Sequence, residues 1–174
     1  MGTIQAPSEV KLFIAVMFHK TFQLDDALSL LTARFGVIER SYGPVPFSWS
    51  DYYESEMGTD LLKFYAVFEQ PVQRSTLSGI KNFSNDLEAK FALNGNRVVN
   101  IDPGYVARDK LVLASTKDFY HRIYLDEGIY AEVTLHYRKG CFRFFSWTYP
   151  DYKEPDFLKF LEMARADLVY ELRK

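Results

Sequence analysis

The chain has a single cysteine, Cys141, among its 174 residues. No internal disulfide can staple it, which suits a reducing compartment and makes the cytoplasm the simplest address. Charge of one sign is also missing: 21 Lys and Arg against 23 Asp and Glu leave a net charge of −2. Neutralising a phosphate backbone by counterion release needs a basic excess, so the balance argues against nucleic acid as a partner. Long hydrophobic runs are absent near the N-terminus, where "LFIAVMF" at residues 12–18 falls far short of the roughly 20 residues of a membrane span. No membrane association is expected.

Two chemical signatures are lacking as well. No glycine is followed by lysine, which excludes the G-x-x-x-x-G-K-[ST] loop that cradles phosphates and with it a P-loop GTPase. One cysteine and the three histidines at 19, 121 and 136 have no ligand spacing, so no metal is expected. The acidic group Asp51, Glu54 and Glu56 beside two tyrosines reads as a solvated loop, since no further oxygen-rich partner accompanies it. No motif identifies a cofactor.

What is present is a real core. Hydrophobic residues make up 48% and charged residues 25%, the balance of a globular protein, and the length fits one domain over residues 1–174. Aromatics reach 17%; tyrosine needs a partner for its hydroxyl when buried, so aromatic-lined surface is expected.

"VKLFIAVMF" at residues 10–18 is apolar on both faces and predicts a central strand. Leu24, Ala27, Leu28, Leu31 and Phe35 then recur at helical spacing, with Asp25 and Asp26 in the first turn and Gly36 as the stop. "VIERSY" is a second strand, "LLKFYAVFEQP" a third that stops at Pro71, and Leu77, Ile80, Phe83, Leu87 and Phe91 define a second helix. "RVVNIDP" closes a β-α-β-β-α-β series. The fold class expected is therefore α+β, with a ferredoxin-like antiparallel sheet over residues 10–102. A strand meander and a final helix over 109–174 follow it, the helix covering the meander. Whether the meander extends the first sheet or forms a second is left open.

In "ASTKDFYHRIYL", residues 114–125, Ser115, Thr116, Lys117, Asp118, His121 and Arg122 stand between two apolar runs. A three-residue loop at 126–128 sets Leu125 opposite Ile129 and Arg122 opposite Glu132, a cross-strand pair worth roughly 0.2 to 1 kcal/mol. The same register sends His121, Ile123 and Leu125 to the face of Ala131, Val133 and Leu135. There His121 is either a bonded core residue or an acid/base group with Asp118 at the strand mouth. "STKD" lacks the spacer of the Thr-Lys-x-Asp loop that reads guanine. In "NIDPGYV", Asp102 before Pro103-Gly104 reads as a turn former, or as a carboxylate beside Tyr105 and Lys110. In "SWTYPDY", Trp147, Tyr149 and Tyr152 read as a hydrophobic plug or a cleft wall.

Together "FHK…ALSLLTARFG", "DYYESEMG", "NIDPGYV", "KLVLASTKDFYHRIYL", "GIYAEVTLHYRKG" and "WTYPDY" resemble the bacterial family called domain of unknown function 4416, over essentially the whole chain. The resemblance implies no activity. Two classes of function are consistent with the residues. One is a cytoplasmic enzyme or binding protein for a small anionic or phosphorylated ligand, with Lys117 and Arg122 as anion anchors and His121 with Asp118 as the acid/base pair. Ser115, Thr116, Asp102, Tyr105, Trp147 and Tyr149 are further candidate ligand contacts. The other is a protein- or RNA-binding module using an aromatic sheet face; charge argues against the RNA version and permits a protein partner or a homo-oligomer.

Overall fold

Backbone hydrogen bonding turns the apolar runs into one antiparallel sheet of eight strands. The structure is a computed structural model that describes residues 2–173. In chain order the elements are β1 (Val10–His19), α1 (Leu24–Phe35), β2 (Ile38–Phe47), α2 (Glu54–Met57), β3 (Leu61–Val72), α3 (Leu77–Phe91), β4 (Val99–Val106) and β5 (Lys110–Ser115), followed by β6 (Arg122–Asp126), β7 (Ile129–Arg138), β8 (Cys141–Phe144) and α4 (Pro155–Glu171). The strand order is β2-β3-β1-β4-β5-β7-β6, and β8 pairs the remaining part of the β7 edge. The meander thus extends the first sheet. The fold is α+β, with four helices among the described residues.

Both faces of β1 are covered, as its unbroken apolar run requires. Leu12, Ile14, Val16 and Phe18 face α1 and α3, meeting Leu31, Ile80 and Leu87. Phe13 and Ala15 point the other way, into a cluster with Phe157, Phe160, Leu161 and Ala164 of α4. That cluster includes Tyr65 and Val67 of β3 as well as Leu135 and Phe142. The last helix therefore crosses the first sheet strands as well as the meander, rather than covering the meander alone. At its far end Lys11, fully buried, binds Glu39 at 2.5 Å and Glu171 at 2.9 Å, fixing α4 to β1 and β2.

Three local expectations are corrected by register. β3 runs through Pro71 to Val72, with Pro71 opposite Lys11. β4 runs straight through Pro103-Gly104 instead of turning there. The backbone N–H of Ile101 points away from β1, to Glu88; two residues on, the nitrogen of Pro103 faces the same way, where β5 offers it no rung, so a residue without an N–H fits. Gly104 is then required by close approach, since a Cβ there would lie 2.2 Å from the Val112 carbonyl oxygen. Gly104→Ala is expected to lower stability by about 1–3 kcal/mol, read as a drop in the urea midpoint at unchanged slope.

The third correction concerns the hairpin. Glu127 and Gly128 both take positive φ, 50° and 79°, in a two-residue turn, and Asp126 rather than Leu125 faces Ile129. The irregularity at Leu125 restores the expected pairing of Arg122 with Glu132. In β7, Leu111 pairs Leu135 while Val112 pairs Val133, so Thr134 is an extra residue. Leu135 is thereby turned to the α4 face, away from Ala131 and Val133.

Candidate functional site

β4 and β5 bond to each other only at Gly104–Leu113, Tyr105–Val112 and Val106–Leu111. Below Gly104 the strands part, leaving residues 99–103 paired to β1 alone. Backbone groups left open inside a fold need partners, and α3 supplies them. The Ile101 N–H donates to Glu88 Oε1 at 2.8 Å, and the Ile101 carbonyl accepts from Lys81 Nζ at 2.8 Å. Two helix side chains stand where a strand would have run.

A cavity of about 440 Å³ lies at this parting, within the usual range for small-molecule sites. Register puts Lys63 opposite Met17, Asn100 opposite Met17 and Asp102 opposite Ala15, so these polar side chains share the α4 face of the sheet. Glu132 opposite Leu113 continues the row on β7. The walls come from the segment 47–53 on one side and from the segment 149–152 on the other.

Every cation of the cavity except Lys117 has a carboxylate partner among the described residues. Lys63 Nζ lies 2.5 Å from Asp151 Oδ2, both buried, and 4.7 Å from the ring centre of Tyr152; the Tyr65 hydroxyl donates to the same Oδ2 at 2.9 Å. Lys81 lies 3.2 Å from Asp102 Oδ1, and Asn100 donates to Asp102 Oδ2 at 2.7 Å. Arg97 grips Glu56 through Nε at 3.0 Å and through its second nitrogen at 2.7 Å. Glu56 is thus a partner for arginine, as its solvated-loop reading did not foresee. Arg122 Nε donates to Glu132 Oε2 at 2.9 Å. Its other nitrogens donate to the Ser115 hydroxyl, the Lys117 carbonyl and the Tyr149 hydroxyl. Among the described residues Lys117 Nζ meets only the Tyr52 hydroxyl, at 3.0 Å, and the face of the Tyr52 ring.

These pairings set the proton affinities. Burial pushes the Asp102 carboxyl up, but Lys81 and Lys63 and the bonds from Lys81 and Asn100 outweigh it and hold it below the usual carboxylate range. The bond from Arg97 holds Glu56 low, and the bond from Arg40 does the same for Asp167. Glu88 is shifted upward, chiefly by burial. Burial likewise raises the phenols of Tyr53, Tyr149 and Tyr152, which keeps them hydrogen-bond donors.

A depressed folded-state pKa contributes stability that is complete above the unfolded value, near pH 4, and is lost as pH falls through the folded value. Asp102, Glu56 and Asp167 all act in that direction, and Glu88 opposes them. The urea midpoint is therefore expected to fall as pH drops below about 4. Arg97→Gln should flatten that decline by releasing Glu56; a decline of unchanged steepness would contradict this assignment.

Of the residues singled out in the sequence, Ser115, Thr116, Lys117, Arg122, Asp102 and Tyr149 line the cavity. His121, Asp118, Tyr105 and Trp147 lie outside it. His121 does not pair with Asp118, which is exposed. Its Nε2 meets Glu132 Oε2 at 3.0 Å, on the same oxygen that Arg122 holds. Its Nδ1 is buried without a partner, which fits the tautomer with the proton on Nε2. Tyr105 points to the opposite face, against Leu77 and Val112.

Trp147 stacks on Phe145 at 4.6 Å and on His121 at 5.0 Å. β6 and β8 share one edge of β7, and Trp147 and Thr148 fill the break between them by donating to the carbonyls of Val133 and Thr134. Trp147 is therefore a plug, whereas Tyr149 is a cavity wall. Asp102 is no turn former. Among the described residues no group of three or more His, Cys, Asp or Glu could hold a metal ion, and no helix is long and apolar enough to cross a membrane.

A family model described as "Domain of unknown function (DUF4416)" matches residues 8–168. The chain belongs to that family. No curated protein and no solved structure matches the chain. Within this DUF4416 chain, the cavity residues that sequence reasoning missed are Lys63, Lys81, Asn100, Glu88 and Asp151. A lysine within the apolar run "LLKFYAVF" and the alternation of Asn100 and Asp102 in β4 were their available signals, because a polar side chain at an inward strand position requires a partner.

Proposed function

We propose that the protein binds a small anionic organic molecule in the cavity between β4 and β5, as a binding protein or as an enzyme acting on that ligand. The observation that carries this reading is the set of charged side chains turned into the sheet at the parting. Lys63, Lys81, Glu132 and Asp151 are each less than 10% exposed, and burying such groups costs stability that apolar residues would not. Clusters of buried charges lining a cavity are commonest at functional sites, whereas the buried Lys11 pairs lie outside the cavity and tie α4 to the sheet. The wall tyrosines and Trp49 add apolar contact area for a ligand body.

A thermal-shift screen against organic carboxylates, sugar phosphates and nucleotides tests the reading. A ligand at one hundred times its Kd adds about 2.7 kcal/mol, a rise of about 5–10 °C in Tm for a chain of this length. Arg122→Met should abolish the rise, because it removes the cation that organises Ser115, Lys117 and Tyr149 around the mouth. A screen without a single shift would count against the cavity as an anion site.

The order β2-β3-β1-β4 with α1 and α3 on one face supports a ferredoxin-like reading of residues 10–102. The lone cysteine supports a reducing, cytoplasmic setting, and the family resemblance supports a bacterial one. A protein-binding module is the second reading, supported by Tyr120, Ile123 and Tyr124, which are 88%, 71% and 56% exposed along the β6 edge.

A further inference from the structure

The inference rests on the cavity reading and concerns which ligand it takes and in which direction. Five cationic side chains line the cavity: Lys63, Lys81, Arg97, Lys117 and Arg122. Four of them have a carboxylate within ion-pair distance: Asp151, Asp102, Glu56 and Glu132 respectively for Lys63, Lys81, Arg97 and Arg122. Lys117 has none among the described residues, and its only polar side-chain partner is the Tyr52 phenol. Glu88 also lies within ion-pair distance of Lys81 and Arg97; Lys117 and Tyr52 are exposed, so the one lining cation without a carboxylate contact among the described residues stands at the mouth.

The inner part has a different vacancy in its bonding. Tyr152 is 1% exposed, lines the cavity, and its buried hydroxyl has no partner. Burial above all, then the charge of Asp151, the Tyr65 phenol and the charge of Asp102, keep that hydroxyl protonated and so a donor. A buried hydroxyl without a partner favours a ligand atom that completes it. A second ligand charge brought to this depth would find every cation already neutralised, and an unpaired charge in a water-poor interior is strongly disfavoured.

We infer that the site takes a monoanion held with its negative group outward at Lys117 and an uncharged hydrogen-bonding group inward at Tyr152, with a flat or apolar body between them. Ligands charged at both ends, and those carrying a dianionic phosphate, are selected against. The anionic group replaces Tyr52 as the partner of Lys117. Aromatic walls on the 47–53 and 149–152 segments suit a ring in the middle.

The test uses the full chain and four one-ring probes at fixed ionic strength and neutral pH, by calorimetry and ligand-observed NMR. These are 4-hydroxybenzoate, benzoate, terephthalate and phenyl phosphate. The expected result is binding of 4-hydroxybenzoate about tenfold tighter than either benzoate or terephthalate, the gain of one good hydrogen bond at about 1.4 kcal/mol per tenfold. Tyr152→Phe should bring 4-hydroxybenzoate down to the level of benzoate and leave benzoate itself unchanged. Because that hydroxyl has no internal partner, the variant should melt at the temperature of the parent. Lys117→Gln should weaken both monoanions about tenfold. Tighter binding of terephthalate or phenyl phosphate than of 4-hydroxybenzoate, or an unchanged preference in Tyr152→Phe, would overturn the orientation while the cavity stayed an anion site. Failure of all four probes to bind would remove the anion-site reading itself, and this inference with it.

Discussion

Lys63→Met alone is expected to lower the free energy of unfolding by about 3–5 kcal/mol, the usual effect of stranding one member of a buried ion pair. Asp151 is 6% exposed and would keep only the Tyr65 hydroxyl as donor. Replacing the whole group by Lys63→Met, Tyr65→Phe and Asp151→Leu together should restore the parental stability or exceed it by about 1–4 kcal/mol, because well-packed apolar residues commonly match or outdo such pairs. The triple variant should nevertheless lose ligand-dependent stabilisation. Urea unfolding and the thermal-shift screen read the two effects separately. A triple variant as unstable as Lys63→Met would mean that the pair serves the fold, and the argument from costly burial would fail.

Glu132→Leu should be as damaging, by about 3–5 kcal/mol, for a different reason. Glu132 is 2% exposed and accepts from Arg122, His121 and Thr134 at once. Its removal strands a guanidinium whose side chain is 4% exposed. It also frees the imidazole that stacks on Trp147, so the loss should extend to the plug between β6 and β8. Glu132→Gln keeps an acceptor for part of this network and should cost less than the leucine variant. Near-UV circular dichroism of Trp147 alongside urea unfolding checks both; equal losses in the two variants would show that the retained amide acceptor contributes nothing and that the charge of Glu132 is what holds Arg122.

Much of this arrangement was readable before the coordinates. The unbroken apolar run "VKLFIAVMF" and the helical spacing of Leu77, Ile80, Leu87 and Phe91 report burial directly, and burial is what aligns strands and helices. The pairing of Arg122 with Glu132 followed from turn length, even though a two-residue turn plus an irregular Leu125 produced it instead of a three-residue loop. What failed to read through were features set by distant packing. Pro103-Gly104 has the chemistry of a turn, yet the departure of β5 removes the need for an N–H and the nearby Val112 carbonyl demands glycine. The extra residue at Thr134 inverts the side on which Leu135 emerges, and nothing local marks it.

The candidate site divides along the same line. Ser115, Lys117 and Arg122 cluster in sequence and so attracted notice, and they do line the cavity. Lys81 and Glu88 belong to a helix, Lys63 to a strand, and Asp151 to a turn some 63 residues beyond Glu88; only tertiary folding brings them to one place. His121 shows the converse case. A histidine beside a lysine and an aspartate suggests proton transfer, whereas the fold sets this imidazole outside the cavity and against Glu132.

The three rungs at 104–106 and 111–113 have a mechanical consequence. They are the whole of the strand-to-strand bonding between a four-stranded leaf and the remainder of the sheet, with helices bridging the rest. Lys63 and Asn100 belong to one leaf, Ser115 and Arg122 to the other. A ligand bound there as proposed would touch both, and so would work as a cross-tie that resists the two leaves swinging apart.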